Sequence, residues 1–332
     1  MPIIAHSDLP SFDALRREGL AVVAAGARDR DLRDLRIGLL NLMPDAALQA
    51  TERQFMRLVS AYGESANLFV IPFAVQADYR ADVANAHIQR YYSTFSVLRD
   101  AGLDALIITG ANPVAEDITT ESFWAPMIEV IEWGRTNVES VLCSCLATHA
   151  VMHHYHATLR TELPVRQWGV YAHDILVQDH PLLEGVEAPV QAPHSHRYAV
   201  SREDMERAGV TVLADSAEAG VHLAVDNGGS NFVFFQGHPE YDAISLLKEY
   251  KREVQRFLAG ARQTYPLFPE HYFDDAATKL LNAYQRQVTE SDFEQATIPP
   301  FPEDILTPAC LDTWRVSGMQ IYSNWLAGVD QS

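Results

Sequence analysis

The chain has 332 residues, 48% of them apolar, enough to bury a full core in one large or two small domains. Its 25 basic and 44 acidic side chains give a net charge of −19, which excludes a broad nucleic-acid or anionic-membrane surface because phosphates would be repelled over most of it. Cys143, Cys145 and Cys310 are too few for a disulfide framework, no apolar run reaches the roughly 18 residues that cross a bilayer, and Met1 to His6 lacks the character of a secretory leader, so a soluble cytoplasmic protein is expected.

Residues 1–34 carry one helical patch, Phe12 to Leu20, and the charged run Arg28-Asp29-Arg30-Asp31, and are read as an N-terminal arm. From Leu35 the texture changes to a largely apolar strand that Pro44 stops, as in a strand buried on both faces. A helix over Thr51 to Val59, a strand over Ala66 to Val75, a helix over Asn85 to Leu98, a strand over Leu103 to Thr109, a helix over Thr120 to Trp133 and a strand over Ser140 to Cys145 follow. This alternation predicts an α/β domain with a mostly parallel sheet and helices on both faces. After a helix over Ala147 to Tyr155, short strands are expected at Val170–Gln178, Pro189–Ala192, Val210–Ala214, Val221–Val225 and Phe232–Gln236. Asn227-Gly228-Gly229 is a hairpin signal between the last two. Ala243 to Leu258 returns to helix, and the proline-rich stretch from Pro266 holds two more, near Asp274 to Gln287 and Asp312 to Leu326. The predicted division is an arm (1–34), a main domain (35–265) and a helical extension packed on it (266–332).

The chemistry centres on Val141-Leu142-Cys143-Ser144-Cys145-Leu146-Ala147, an apolar strand running into a helix. A thiol at a helix N-terminus is acidified there and lies among free backbone N–H groups that can hold an oxyanion. Cys145 stands at that junction; Cys143 lies inside the strand and reads as core. Downstream, Gly237-His238-Pro239-Glu240 follows another apolar strand, so His238 can serve as base and Glu240 as the group that fixes its tautomer. His149, His153, His154 and His156 crowd the helix after Cys145, but no carboxylate or second cysteine pair completes a ligand set; no metal and no permanently bound cofactor are expected, and these histidines read as helix surface or a subunit contact.

A cysteine at a strand-to-helix junction with a distant Gly-His-Pro-Glu resembles the class I glutamine amidotransferase superfamily, a flavodoxin-like sheet with a Cys-His-Glu triad. The segment Cys145-Leu146-Ala147-Thr148-His149 departs from the glutaminase motif, which argues against an amidotransferase subunit. Much more of the chain resembles the homoserine O-acyltransferase family of methionine biosynthesis, of the succinyltransferase type. The likeness lies in Asn41-Leu42-Met43-Pro44, Thr51-Glu52-Arg53-Gln54-Phe55, Ile108-Thr109-Gly110-Ala111, Gly169-Val170-Tyr171, Ala192-Pro193-His194-Ser195, Gly237 to Asp242, Trp314-Arg315 and Asn324-Trp325-Leu326. It implies that Cys145 is the nucleophile of a ping-pong reaction between an acyl-CoA and L-homoserine, with His238 and Glu240 completing a triad and the Leu146 N–H in the oxyanion site. It also implies that Arg166, where the family usually has lysine, Ser195 and Arg252 contact substrate, and that the protein is a homodimer. The position that selects the acyl group falls on Val114 by ungapped counting or on Ala115 if Pro113 matches the family's proline. The family pairs glutamate there with acetyl and glycine with succinyl; neither residue here carries a charge that would repel a succinyl carboxylate, so succinyl is expected, with acetyl as the alternative donor and serine as the alternative acceptor. The segment Asp45 to Ala50 lacks the lysines common at that place in the family, so contacts to the donor there are expected to differ.

Overall fold

A computed structural model describes residues 3–75, 80–226, 231–290 and 298–331. The strands are β1 (Ile3–Ala5), β2 (Val22–Ala24), β3 (Arg33–Leu40), β4 (Ala66–Phe73), β5 (Ala105–Ile108), β6 (Ser140–Ser144), β7 (Thr161–Ile175), β8 (Val190–Ala199), β9 (Val210–Ser216), β10 (Gly220–Asp226) and β11 (Phe232–Phe235). They lie in the order β2-β1-β4-β3-β5-β6-β11-β10-β9-β7-β8. The side from β2 to β11 is parallel, and the remaining neighbours are antiparallel.

Strand alternation sends successive side chains to opposite faces, and both faces are covered here. On one, Leu35, Ile37 and Leu39 of β3, Ile107 of β5 and Leu142 of β6 pack with α1 (Pro10–Arg17), α2 (Leu48–Val59) and the last helix, α11 (Arg315–Gln331). On the other, Leu40, Leu106, Ile108, Val141 and Cys143 pack with α4 (Phe95–Ala101), α5 (Trp124–Asn137) and α6 (Leu146–His156). A third cluster joins Trp168 and Val170 of β7 to α8 (Ser245–Leu258), α9 (Asp275–Glu290) and α10 (Glu303–Leu306). The helices α3 (Asp82–Tyr91) and α7 (Arg202–Arg207) complete the described set. None of these helices is long and apolar enough to cross a membrane.

Three features differ from the periodicity reading. Residues 1–34 contribute more than a helix: Ile3 to Ala5 pair with Val22 to Ala24, and Ile3 pairs with Leu68, so the N-terminal segment extends the sheet. The single helix expected over Asn85 to Leu98 is two, because Ser93 donates its N–H to Pro72 O and bridges Phe73 while Thr94 caps α4. The strands expected over Val170–Gln178 and Pro189–Ala192 are both longer, running over Thr161–Ile175 and Val190–Ala199 and pairing antiparallel with each other. Asn227-Gly228-Gly229 lies outside the described residues, although the antiparallel β10–β11 pairing that it would connect is present.

Candidate active site

Parallel pairing of β6 with β11 brings Ser144 opposite Phe235, so the two strands release their chains side by side. Cys145 leaves β6 at φ 51° and ψ −106°, a left-handed turn that costs an ordinary side chain about 1–3 kcal/mol, and α6 starts at the next residue. The junction is fastened by Cys145 N–H to Phe235 O (2.7 Å) and by Thr148 Oγ1, which lies 3.0 Å from both Cys143 O and Phe235 O. The turn lifts Cys145 out of the core to partial exposure. Cys143, two residues earlier, is fully buried, and burial raises its thiol pKa. At the first position of α6 the Leu146 N–H has no acceptor within the helix. Gly110 flanks Cys145: a Cβ there would sit 3.4 Å from Cys145 Cβ.

After β11 the chain turns through Gln236-Gly237 into His238, whose N–H donates to Pro193 O (2.7 Å). Gly237 has no room for a side chain, since a Cβ would meet His222 Nδ1 at 2.7 Å and His194 Nε2 at 2.9 Å. His238 Nδ1 is 2.8 Å from Glu240 Oε1, and the Cys145 sulfur is close enough to act electrostatically on the ring. Burial opposes charging His238, but the Glu240 carboxylate and the Cys145 sulfur outweigh it and hold the imidazole pKa well above 6.5. The ring is therefore held as imidazolium, a state that can protonate a leaving group beside the Cys145 sulfur.

Residues of the sequence motifs brace this turn and other parts of the fold. Asp242 accepts from Arg57 (2.5 Å), Arg53 and Gln54 (3.3 Å) of α2, and Trp314 Nε1 donates to Tyr241 O (3.1 Å). Glu52, fully buried, accepts from Ser11 (2.5 Å) and Tyr92 (2.6 Å) and pairs with His87 (2.8 Å). Near the C-terminus, Trp325 Nε1 donates to Ser140 Oγ at the foot of β6 (2.8 Å), and Asn324 donates to Leu182 O and Glu184 O. Asp45, first residue of the segment expected to differ in its contacts, is tied to Arg80 (3.2 Å), which also donates to Met43 O and Asn41 O.

Beside the triad, Arg166 donates to Ser195 Oγ (2.5 Å) and Glu249 Oε2 (2.7 Å), and Ser195 donates to the same carboxylate oxygen (2.7 Å). Tyr241 stacks on His238 with ring centroids 4.5 Å apart and donates to Glu249 Oε1 (2.8 Å), so it joins this network to His238. Arg252, one helical turn past Glu249 on α8, is exposed and makes no ion pair among the described residues. In the loop after β5, Val114 is 97% exposed and Ala115 is half-buried; both donate their N–H groups to Glu121 Oε1 (2.5 and 2.6 Å).

Sequence reading missed Glu249, Tyr241 and a buried histidine chain. His196 Nε2 meets His194 Nδ1 at 2.9 Å and His194 Nε2 meets His173 Nε2 at 3.0 Å, with His222 packed against them. Burial keeps all four neutral, at about 4 for His173, about 3 for His196 and well below 6.5 for His194 and His222. Of the expected cluster on α6, only His149 joins the interior, bonded to Gln236 (3.1 Å) and lowered by burial to about 4. His154 pairs with Glu132 and His153 packs on Trp124 at the surface.

The family model described as "HTS: Homoserine O-succinyltransferase" matches residues 2–332. The chain belongs to the homoserine O-succinyltransferase family. It is 48% identical to a homoserine O-succinyltransferase of Allochromatium vinosum and 45% identical to one of Methylococcus capsulatus, in each case over the whole chain and 93% and 94% of the relative. The family makes the chain a transferase, and its place in methionine biosynthesis follows from that membership. Among solved structures, a glutamine amido transferase from Methylobacillus flagellatus aligns at TM-score 0.46 and 14% identity over 90% of this chain and 95% of its own; the fold assignment rests on the sheet described above.

Proposed function

We propose that the protein transfers the succinyl group of succinyl-coenzyme A to the hydroxyl of L-homoserine through a thioester on Cys145. The observation that carries this reading is the Cys145–His238–Glu240 arrangement at the mouths of β6 and β11, with an imidazole charged by its two neighbours. The Cys145 thiolate attacks the donor thioester carbonyl, and the Leu146 N–H at the head of α6 stabilises the developing oxyanion. The bond to coenzyme A breaks, and His238 Nε2–H protonates the departing thiolate. His238, now neutral and held by Glu240, takes the proton of the homoserine hydroxyl as its oxygen attacks the acyl-enzyme. The Cys145 thiolate and the imidazolium are thereby restored.

The acceptor is a zwitterion, and the neighbouring network offers both signs: Glu249 for the ammonium, Arg166 with Ser195 for polar contact, and Arg252 on the same helix for the carboxylate. The decisive experiment weighs the protein after incubation with succinyl-CoA alone. A mass gain of one succinyl group is expected in the wild type and Cys143→Ala and is absent in Cys145→Ala, with discharge by homoserine faster than by serine. No adduct with succinyl-CoA, or an adduct on Cys143, overturns the reading.

A further inference from the structure

Arg160 lies between the end of α6 and the start of β7, and its surroundings are those of an anion receptor without its anion. Its guanidinium carbon sits 4.0 Å above the Tyr198 ring. Nη2 donates to Ala115 O (3.3 Å) and Glu116 O (2.8 Å), carbonyls of the loop that starts at Gly110 against Cys145. The nearby acids are engaged elsewhere: Glu121 Oε1 accepts from Val114 and Ala115, and Asp117 Oδ1 accepts from Thr119 N–H (2.9 Å) and Oγ1 (2.7 Å). Among the described residues no carboxylate pairs with Arg160, and Nε and Nη1 have no hydrogen-bond partner. Burial removes part of its hydration, and the charges that act back on it are those of Tyr198, Cys145, Glu121 and Asp117, so it stands within electrostatic reach of the nucleophile.

A half-buried guanidinium that spends one nitrogen on carbonyls and keeps the rest of its fork free suits a planar carboxylate, which would restore the lost hydration with two charge-assisted bonds. The backbone anchors fix it at the loop that was expected to select the acyl group. We propose that Arg160 binds the distal carboxylate of the succinyl group, on the incoming donor and on the Cys145 thioester, and so sets the preference for a diacid over a neutral acyl chain. This rests on the reading of Cys145 as the acyl carrier.

The test compares succinyl-CoA with butyryl-CoA, which has the same carbon chain and a methyl in place of the carboxylate, in wild type, Arg160→Gln and Arg160→Lys. Two quantities are read: the rate of Cys145 acylation without acceptor, and kcat/KM for product formation with homoserine. Arg160→Gln is expected to lower the succinyl rate about 100-fold and leave the butyryl rate within about threefold, and Arg160→Lys to recover part of the succinyl rate because charge returns without the fork. Equal losses with both donors, or an unchanged succinyl-to-butyryl ratio, overturn the role of Arg160. Because the product ratio needs no covalent intermediate, a wild type that forms product without labelling removes the thioester and leaves the ratio to judge Arg160. Unchanged thermal stability and unchanged kcat/KM for homoserine separate lost recognition from a misfolded loop, and Arg160→Lys carries the test if Arg160→Gln fails to fold.

Discussion

Arg166, in the network that reaches His238 through Tyr241, and Arg160, which interacts electrostatically with Cys145, are held in opposite ways. Arg166 is paired: Glu249 at 2.7 Å neutralises it, Ser195 completes its contacts, and Trp168 lies under it at 4.5 Å. Arg160 has the same aromatic support from Tyr198 but, among the described residues, only backbone carbonyls as hydrogen-bond partners. A paired cation presents separate positive and negative poles with little net charge, which suits a zwitterionic amino acid; an unpaired cation presents net charge, which suits an anion. On the proposed reading, the acceptor and acyl sides of the site would differ in charge balance more than in residue type.

The largest effect should fall on both sides together. Glu240→Gln removes the group that orients and charges His238, and about a 10³-fold loss is expected in both acylation by succinyl-CoA and overall transfer. A loss confined to the homoserine half-reaction would show that His238 does not serve the acyl side. Glu249→Gln should separate the two sides: KM for homoserine rises about 30-fold while single-turnover acylation of Cys145 stays near the wild-type rate. Parallel losses in both readouts would dissolve the distinction drawn here.

Acid should lower the stability of the whole fold. His149, His173, His194, His196 and His222 are neutral in the fold and take up protons near pH 6.5 when the chain unfolds. The stability they confer is full above that pH and is lost as pH falls from about 6.5 towards 4, by about 1.4 kcal/mol per pH unit for each histidine that titrates. Urea midpoints between pH 7.5 and 5 measure it, and a flat profile would mean that the cluster is already charged when folded. The smallest effect is expected at Tyr322→Phe. The Tyr322 hydroxyl is buried without a partner among the described residues, as is Glu240 Oε2, and the carboxylate adds to burial in raising the phenol pKa. With no hydrogen bond to remove, kcat/KM should change less than about threefold.

The places where sequence reading fell short share a cause. Each three-residue strand at the N-terminus is too short to show a period, and the break between α3 and α4 depends on Ser93 reaching Pro72 O on β4. The buried histidines lie at positions 149, 173, 194, 196 and 222, where no local spacing marks them as one cluster. Arg252 was singled out by resemblance alone and stands exposed on α8, whereas Glu249, the acid that organises Arg166, Ser195 and Tyr241, sits one turn earlier in a run of charges that reads as a solvated helix face.

By itself the sequence determined the alternating α/β framework and the placement of Cys145 and His238 at strand ends, because periodicity and chain breaks are local properties of a polymer. Tertiary structure decided which charges are spent and which remain available. Arg166 meets its acid from α8, far along the chain, and Arg160 meets none among the described residues. Pairing depends on distances in space, and a linear pattern of arginines and glutamates does not contain them.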